Sequence, residues 1–425
     1  LAKKAVSKIY GGKEMKKTSS LIVLILVVLL VLTACAPAPA PVQSSEAPAA
    51  SSAASSAASS VASEASTSAN VNTALADFTY VEPAGKAVEI NSYYQSYGVE
   101  SDVTIRQKGG SVSVPDNQDK PLPKPNKKYK IGFSVYYTVD EVGSMYLEGM
   151  KAAAEEAGIE LLINDAQYKQ NLQDSAIEQW ILQGVDGVIL TPCDFTAVKT
   201  SLDALEKAKI PVITLDAPPQ AGSVDSMIIY DCVEQGLKAG EMLEKALVAK
   251  GKEMKGTIVY NTLPFVHPNA VTREIGFKKA FEKYPDIKFA VLTGESPEDH
   301  YTAFEGAIQA YPDMLGAWGL YDSATIGMLN AMKASKREDI LLTSVDNDRT
   351  LIASISKDEI VGSVGYSAIA GSRWALNQMI NLLNGAEIPG IIHQENAVIT
   401  KDNAAERFSH YYAGKTLADY LAGKQ

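Results

Sequence analysis

Between residues 187 and 216 the chain reads Gly-Val-Ile-Leu-Thr-Pro-Cys-Asp, then an amphipathic interval, then Ile-Pro-Val-Ile-Thr-Leu-Asp. Two short apolar, β-branched runs, each ending in polar residues, flank one stretch of helical length. Strands alternating with helices at this spacing form βαβ units of a buried parallel sheet. Ligands of such sheets sit in the crevice beyond the carboxyl ends of the strands. That places Thr191, Cys193, Asp194 and Asp216 at the expected mouth of a site.

The same alternation runs through most of the chain. Strands are predicted at 130–137, 160–165, 185–192, 211–216 and 226–231, with helices at 138–157, 172–183 and 196–208. Thr138 and Glu141 have capping-box spacing for the first helix, Met145, Gly149, Ala153 and Ala157 form its buried stripe, and Gly158 ends it. After Asp231 the pattern restarts. Helices are predicted at 234–249, 271–283, 301–310, 323–334, 350–356 and 368–384, and strands at 257–261, 288–293, 317–321, 340–346, 360–366 and 398–400. Two consecutive sets predict two doubly wound α/β lobes whose strand ends share one cleft.

The segment before the first lobe reads differently. Lys16 and Lys17 precede twelve unbroken apolar residues, 21–32, and then Leu-Thr-Ala-Cys at 32–35. Twelve residues are too few for a helix spanning a bilayer, which needs roughly 20. A basic start, a short apolar run and small residues before a cut read as a secretory signal over 1–34, with Met15 the expected start and 1–14 upstream of it. Residues 35–70 are mostly Ala, Ser and Pro, too poor in apolar side chains to offset chain entropy, and read as a tether reaching roughly 30–35 Å. Within 71–125, an extension without a functional reading, Val88-Glu-Ile and Gly110-Ser-Val-Ser-Val hint at strands.

Charge and cysteine usage exclude several functions. The net charge is −11, and residues 1–34 carry six lysines and one glutamate, leaving −16 for the remainder. Such a surface repels phosphate backbones, so nucleic acid is not an expected partner. Three cysteines make no disulfide framework; Cys193 and Cys232 are expected to be free structural thiols, with a mutual disulfide as the alternative. The four histidines show no metal-ligand spacing, there is no Walker loop, and no cofactor or metal is expected.

Taken together, several segments resemble the ribose/galactose-type solute-binding proteins of ABC importers. They are Lys-Ile-Gly-Phe-Ser at 130–134, Glu148-Gly149-Met150, Gly-Val-Asp-Gly-Val-Ile-Leu-Thr-Pro at 184–192, Ile-Pro-Val-Ile-Thr-Leu-Asp at 210–216, Arg273-Glu-Ile-Gly-Phe277, and Asp322 with Gly327. The resemblance covers roughly 128–400 in order, and Leu-Thr-Ala-Cys resembles the bacterial lipobox, which makes Cys35 the expected lipidated residue. It implies a type I periplasmic-binding-protein fold: two Rossmann-like lobes joined by three crossings, near Asp231, Gly365 and residues 390–395. On this reading 126–231 with about 366–393 form lobe 1, 232–365 with about 394–405 form lobe 2, and 406–425 are a C-terminal extension.

The resemblance also implies a function without catalysis: a monomer, lipid-anchored outside the membrane or periplasmic, that captures a sugar or polyol for an ABC permease. By position, Asp216 and Asp346 match the family's ligand aspartates. Tyr136 rather than Tyr137 is expected in the cleft, because neighbouring strand residues face opposite ways. Asp140, Asn269, Arg273, Tyr321 and Tyr366 complete the expected ligand-binding set, while Trp318 is expected in the core. Two departures argue against a simple ribose-like ligand: Asp140-Glu-Val-Gly143 replaces an Asn-Pro-Phe-aromatic wedge, and Ala217-Pro218-Pro219 replaces an arginine after Asp216. The expected solute is small and uncharged. The alternatives are a sensor presenting its ligand to a chemoreceptor or kinase, a nucleoside binder, and a glycosidase using Asp216 and Asp346 as an acid/base pair.

Overall fold

The computed structural model describes residues 90, 91, 95, 100–116, 121–263 and 267–424. The expected signal, Cys35 and the tether lie outside the described residues. In chain order the elements are β1 (Asp102–Ile105), β2 (Ser111–Val114), β3 (Lys130–Val135), α1 (Glu141–Ala157), β4 (Glu160–Asp165), α2 (Gln170–Leu182), β5 (Gly187–Leu190), α3 (Lys199–Ala208), β6 (Val212–Asp216), β7 (Ala221–Val224) and β8 (Ser226–Tyr230). The second series is α4 (Cys232–Ala249), β9 (Gly256–Thr262), α5 (Pro268–Lys279), β10 (Ile287–Thr293), α6 (Pro297–Ala310), β11 (Met314–Gly319), α7 (Asp322–Ala334), β12 (Leu341–Val345), α8 (Arg349–Ser356) and β13 (Gly362–Gly365). The chain ends with α9 (Ala368–Leu383), β14 (Ile391–Gln394), β15 (Ala397–Ile399), α10 (Ala404–Tyr411) and α11 (Leu417–Leu421).

Two sheets organise these elements. One has the order β2-β14-β8-β6-β5-β3-β4, the other β10-β9-β11-β12-β13-β15. All their pairings are parallel except β13 with β15. Central strands β5, β6 and β8 are buried throughout, which is why they read as unbroken apolar runs rather than alternating ones. Helix α9 packs on the first sheet and α4 on the second. The chain therefore passes between sheets three times: from β8 to α4 at Asp231, from β13 to α9 after Gly365, and from β14 to β15 after Gln394.

Local chemistry sets the helix ends that matter for the cleft. The α1 cap is Asp140, whose Oδ1 accepts the Gly143 N–H at 2.7 Å, and Gly158 ends the helix in the left-handed region. The capping box expected of Thr138 and Glu141 does not form. The Thr138 hydroxyl donates to Asp165, and Glu141 accepts from Arg349 of the second lobe. Helices α4 and α5 approach closely through two glycines. A Cβ on Gly236 would lie 1.9 Å from the Arg273 carbonyl oxygen, and one on Gly276 1.9 Å from that of Val233.

The appendages differ from expectation. Ile90 is helical rather than extended; β1 lies at 102–105 and pairs with β7, while β2 forms where Gly110-Ser-Val-Ser-Val suggested it and pairs with β14. The C-terminal α10 packs on α8, and Tyr412 Oη donates to the Asn347 carbonyl at 2.9 Å. Cys193 and Cys232 are buried free thiols, so the disulfide alternative falls. Among the described residues no helix is long and apolar enough to cross a membrane.

Candidate functional site

Strands β6 and β12 each end in an aspartate held in the left-handed region, with φ 79° at Asp216 and 77° at Asp346. Few residues besides glycine tolerate this backbone, Asp and Asn best among them, and such strain concentrates where function demands a fixed direction. Both side chains are buried and line a single cavity between the two lobes. About 460 Å³ inside it is free of protein atoms, a figure that includes space open to solvent.

Each aspartate is anchored differently. Asp216 Oδ1 accepts from Tyr146 Oη at 2.9 Å, and its Oδ2 accepts from Asn269 Nδ2 at 3.0 Å. Asn269 belongs to α5, so this second bond crosses from one lobe to the other. One helical turn on, where i and i+4 share a face, Arg273 donates from Nη2 to Asp346 Oδ1 at 3.0 Å. Its Nε donates to Gln235 Oε1 at 2.8 Å and its Nη1 to the Leu320 carbonyl at 3.1 Å, so three of its donors hold it rigidly. Val271, the intervening residue, turns away and packs against other apolar side chains.

Aromatic rings form the walls. Tyr136 lines the cavity and Tyr137 does not, though both follow the end of β3 and both rings stack on Tyr168. Tyr136 stacks on Tyr168 with ring centres 5.3 Å apart and meets His267 edge-on at 6.2 Å. Tyr366 packs on Tyr230, and Tyr321 Oη lies 2.6 Å from His300 Nε2. Trp318 is core, stacked on Phe277.

Burial shapes the charges. It pushes Asp216 up to about 7, with the Asp346 charge adding and Arg273 and Tyr146 opposing. It likewise raises Asp140 to about 7, reinforced by Asp346 and Asp216, and drives Asp322 well above the carboxylate range. His267 is pushed down to about 4 by burial and the nearby Arg273 charge, so its imidazole is neutral. Burial works against the Arg273 charge, but Asp346 and the surrounding acidic groups outweigh it.

All eight residues expected from the sequence, Tyr136, Asp140, Asp216, Asn269, Arg273, Tyr321, Asp346 and Tyr366, line this one cavity. Three strand-end residues expected at its mouth do not. Thr191 Oγ1 accepts the Tyr136 N–H at 2.7 Å, Cys193 packs in the core, and Asp194 Oδ1 accepts the Thr196 and Ala197 N–H groups of its own turn at 2.8 Å. Their polar groups or volumes are consumed in building the loop. Sequence reasoning passed over Tyr168, His267 and Asp322 as lining residues. Tyr168 and Asp322 follow β4 and β11, so the rule that placed Asp216 reaches them too. No such rule reaches His267.

A closed cleft between two doubly wound lobes, lined by fixed aspartates and tyrosines, defines a receptor for a small polar molecule. Residues 131–387 match the model of the periplasmic binding protein domain, which spans more than half of the chain. The chain belongs to this family, whose members are binding proteins, not enzymes. It is 27% identical over 281 residues to the ribose import binding protein of Bacillus subtilis (strain 168), covering 64% of this chain and 88% of that protein. It is 23% identical over 268 residues to the xylitol-binding protein of Mycolicibacterium smegmatis, covering 62% of this chain and 75% of that one. Among solved structures it is similar to the periplasmic binding component of the arabinose ABC transporter from Shewanella sp. ANA-3, bound to L-arabinofuranose. The TM-score is 0.61 and the identity 25%, over 66% of this chain and 95% of the other.

Proposed function

We propose that the protein captures a sugar or polyol between its two lobes and delivers it, outside the cytoplasm, to an ABC permease. Cys35 would carry the lipid that anchors it, and residues 35–70 would tether the receptor to the membrane face. In this reading the lobes comprise 126–231 with about 366–393, and 232–365 with about 394–405, and swing about the three crossings as a monomer. The observation that carries the reading is the pair of left-handed strand-end aspartates, Asp216 and Asp346, facing one cavity from different lobes. Ionised or partly ionised carboxylates are strong acceptors for hydroxyls, and a buried hydroxyl-binding group left unpaired is costly, which makes such a site selective. The tyrosines, Tyr136 and Tyr366 foremost, offer flat apolar faces to the C–H side of a ring or chain. The relatives named for ribose and xylitol support the ligand class.

A thermal-shift screen of sugars, polyols and nucleosides tests this. A bound solute stabilises by RT ln(1 + [L]/Kd), about 2.7 kcal/mol at a hundredfold excess over Kd. A sugar or polyol should raise Tm, and Asp216→Ala should remove that rise while leaving a folded unliganded protein. A Tm raised by nucleosides alone would refute the ligand class.

A further inference from the structure

Building on the proposed sugar or polyol site, we infer that the solute carries a protonated amine seated between Asp140 and Asp322. The preferred ligand class is then an amino sugar or amino polyol rather than an uncharged sugar. Four carboxylates line the cavity, Asp140, Asp216, Asp322 and Asp346, against one arginine among the described residues. That arginine is already committed: Arg273 pairs with Asp346, and its other bonds go to Gln235 and Leu320. Asp216 has Tyr146 and Asn269. Neither Asp140 nor Asp322 has a cationic partner in the cavity, where the only lining imidazole, His267, is neutral.

A cluster of acids alone would say little, since solvent can screen it. Here a second observation points to a missing donor. Asp322 is 3% exposed, and while its Oδ1 accepts the Ser323 N–H at 2.6 Å, its Oδ2 is buried with no hydrogen-bond partner. Asn269 Oδ1, also in the cavity lining, is buried and unpaired as well. Buried acceptors of this kind are costly unless something donates to them. An ammonium group supplies three donors and a positive charge together. A hydroxyl supplies one donor and no charge, so it does nothing to offset the burial that favours the neutral carboxyls of Asp140 and Asp322.

The approach to the cavity has the same character. Asp140 and Asp322 also line an adjoining outer pocket with Glu141, Asp348 and Arg349. Arg349 is paired with Glu141, so this pocket too holds more carboxyl groups than cations. A metal ion fits less well, because no group of three or more His, Cys, Asp or Glu side chains converges to hold one among the described residues.

The test compares matched probes on the full chain: D-glucosamine with D-glucose, D-galactosamine with D-galactose, and D-mannosamine with D-mannose. Binding is ranked by thermal shift and then measured by calorimetry. At least one amine should bind no less than tenfold more tightly than its parent sugar. Asp322→Asn, nearly isosteric, should lower affinity for the amine at least tenfold more than affinity for the parent sugar, and Asp140→Asn should narrow the preference in the same direction; circular dichroism and the unliganded Tm check folding. Parent sugars that bind as well as their amines would overturn the inference and leave the sugar site standing. No binding by any of the six would overturn the amine inference, while the sugar or polyol reading stands or falls on the wider thermal-shift screen. A preference surviving both substitutions would overturn the placement between Asp140 and Asp322.

Discussion

Replacing Arg273 by methionine tests whether the second lobe's half of the cavity is built as described. The side chain is 5% exposed, Asp346 is 6% exposed, and they meet at 3.0 Å. Methionine keeps most of the apolar stem but removes the charge, so a buried carboxylate loses its counter-ion while Gln235 Oε1 and the Leu320 carbonyl lose donors. Breaking a buried pair from one side costs about 3–5 kcal/mol, most of it the penalty on the charge left behind. At about 2 °C per kcal/mol for a large domain, calorimetry of the unliganded protein should show Tm lower by roughly 6–10 °C. Adding Asp346→Asn to the same chain removes the stranded charge, so the double variant should recover at least about 1–2 kcal/mol. A single variant costing under about 1 kcal/mol, or a double variant showing no recovery, would refute the pairing.

Three further outcomes follow from the geometry. Gly276→Ala places a Cβ 1.9 Å from the Val233 carbonyl oxygen, so α5 must move off α4; chemical denaturation should show a loss of about 1–3 kcal/mol, and affinity should fall because Asn269 and Arg273 ride on that helix. Glu141→Gln removes the partly exposed ion pair with Arg349 that joins the lobes at the rim, worth about 1 kcal/mol at most, so stopped-flow measurements should show ligand leaving up to about fivefold faster. His267 is depressed to about 4, chiefly by burial, against about 6.5 in an unfolded chain, so its contribution is intact above pH 6.5 and lost as pH falls toward 4. Asp140 and Asp216 are raised to about 7 and act in the opposite sense, gaining stability as pH falls from 7 toward 4. The Tm of His267→Gln, relative to the parent, should therefore improve between pH 8 and pH 5; an unchanged difference would refute the buried neutral imidazole.

The fold was legible because its information is local. Buried parallel strands such as 212–216 read as apolar runs, and the helices between them carry their stripe and their stop, as α1 does with Gly149 and Gly158. Asp216 and Asp346 were found because a strand end in such a sheet points at the crevice whatever the sequence beyond it. The weaker strands escaped: β7 is Ala-Gly-Ser-Val and β14 is Ile-Ile-His-Gln, both too short to show a period and held by partners distant in sequence. The choice of Asp140 over Thr138 as the α1 cap was equally hidden, since Thr138 is drawn away by Asp165 and Glu141 by Arg349, some 200 residues on. Arg273 illustrates the boundary between the two kinds of information. Its helix was visible in the sequence, but its alignment with Asp346 depends on the close α4–α5 contact at Gly236 and Gly276.

The most direct test of the account is a crystal structure of the protein with the sugar or amino sugar that binds it most tightly. The account predicts one molecule in the cavity between the lobes, within hydrogen-bond distance of the carboxylates of both Asp216 and Asp346. A ligand bound to one lobe alone, or outside that cavity, would contradict it.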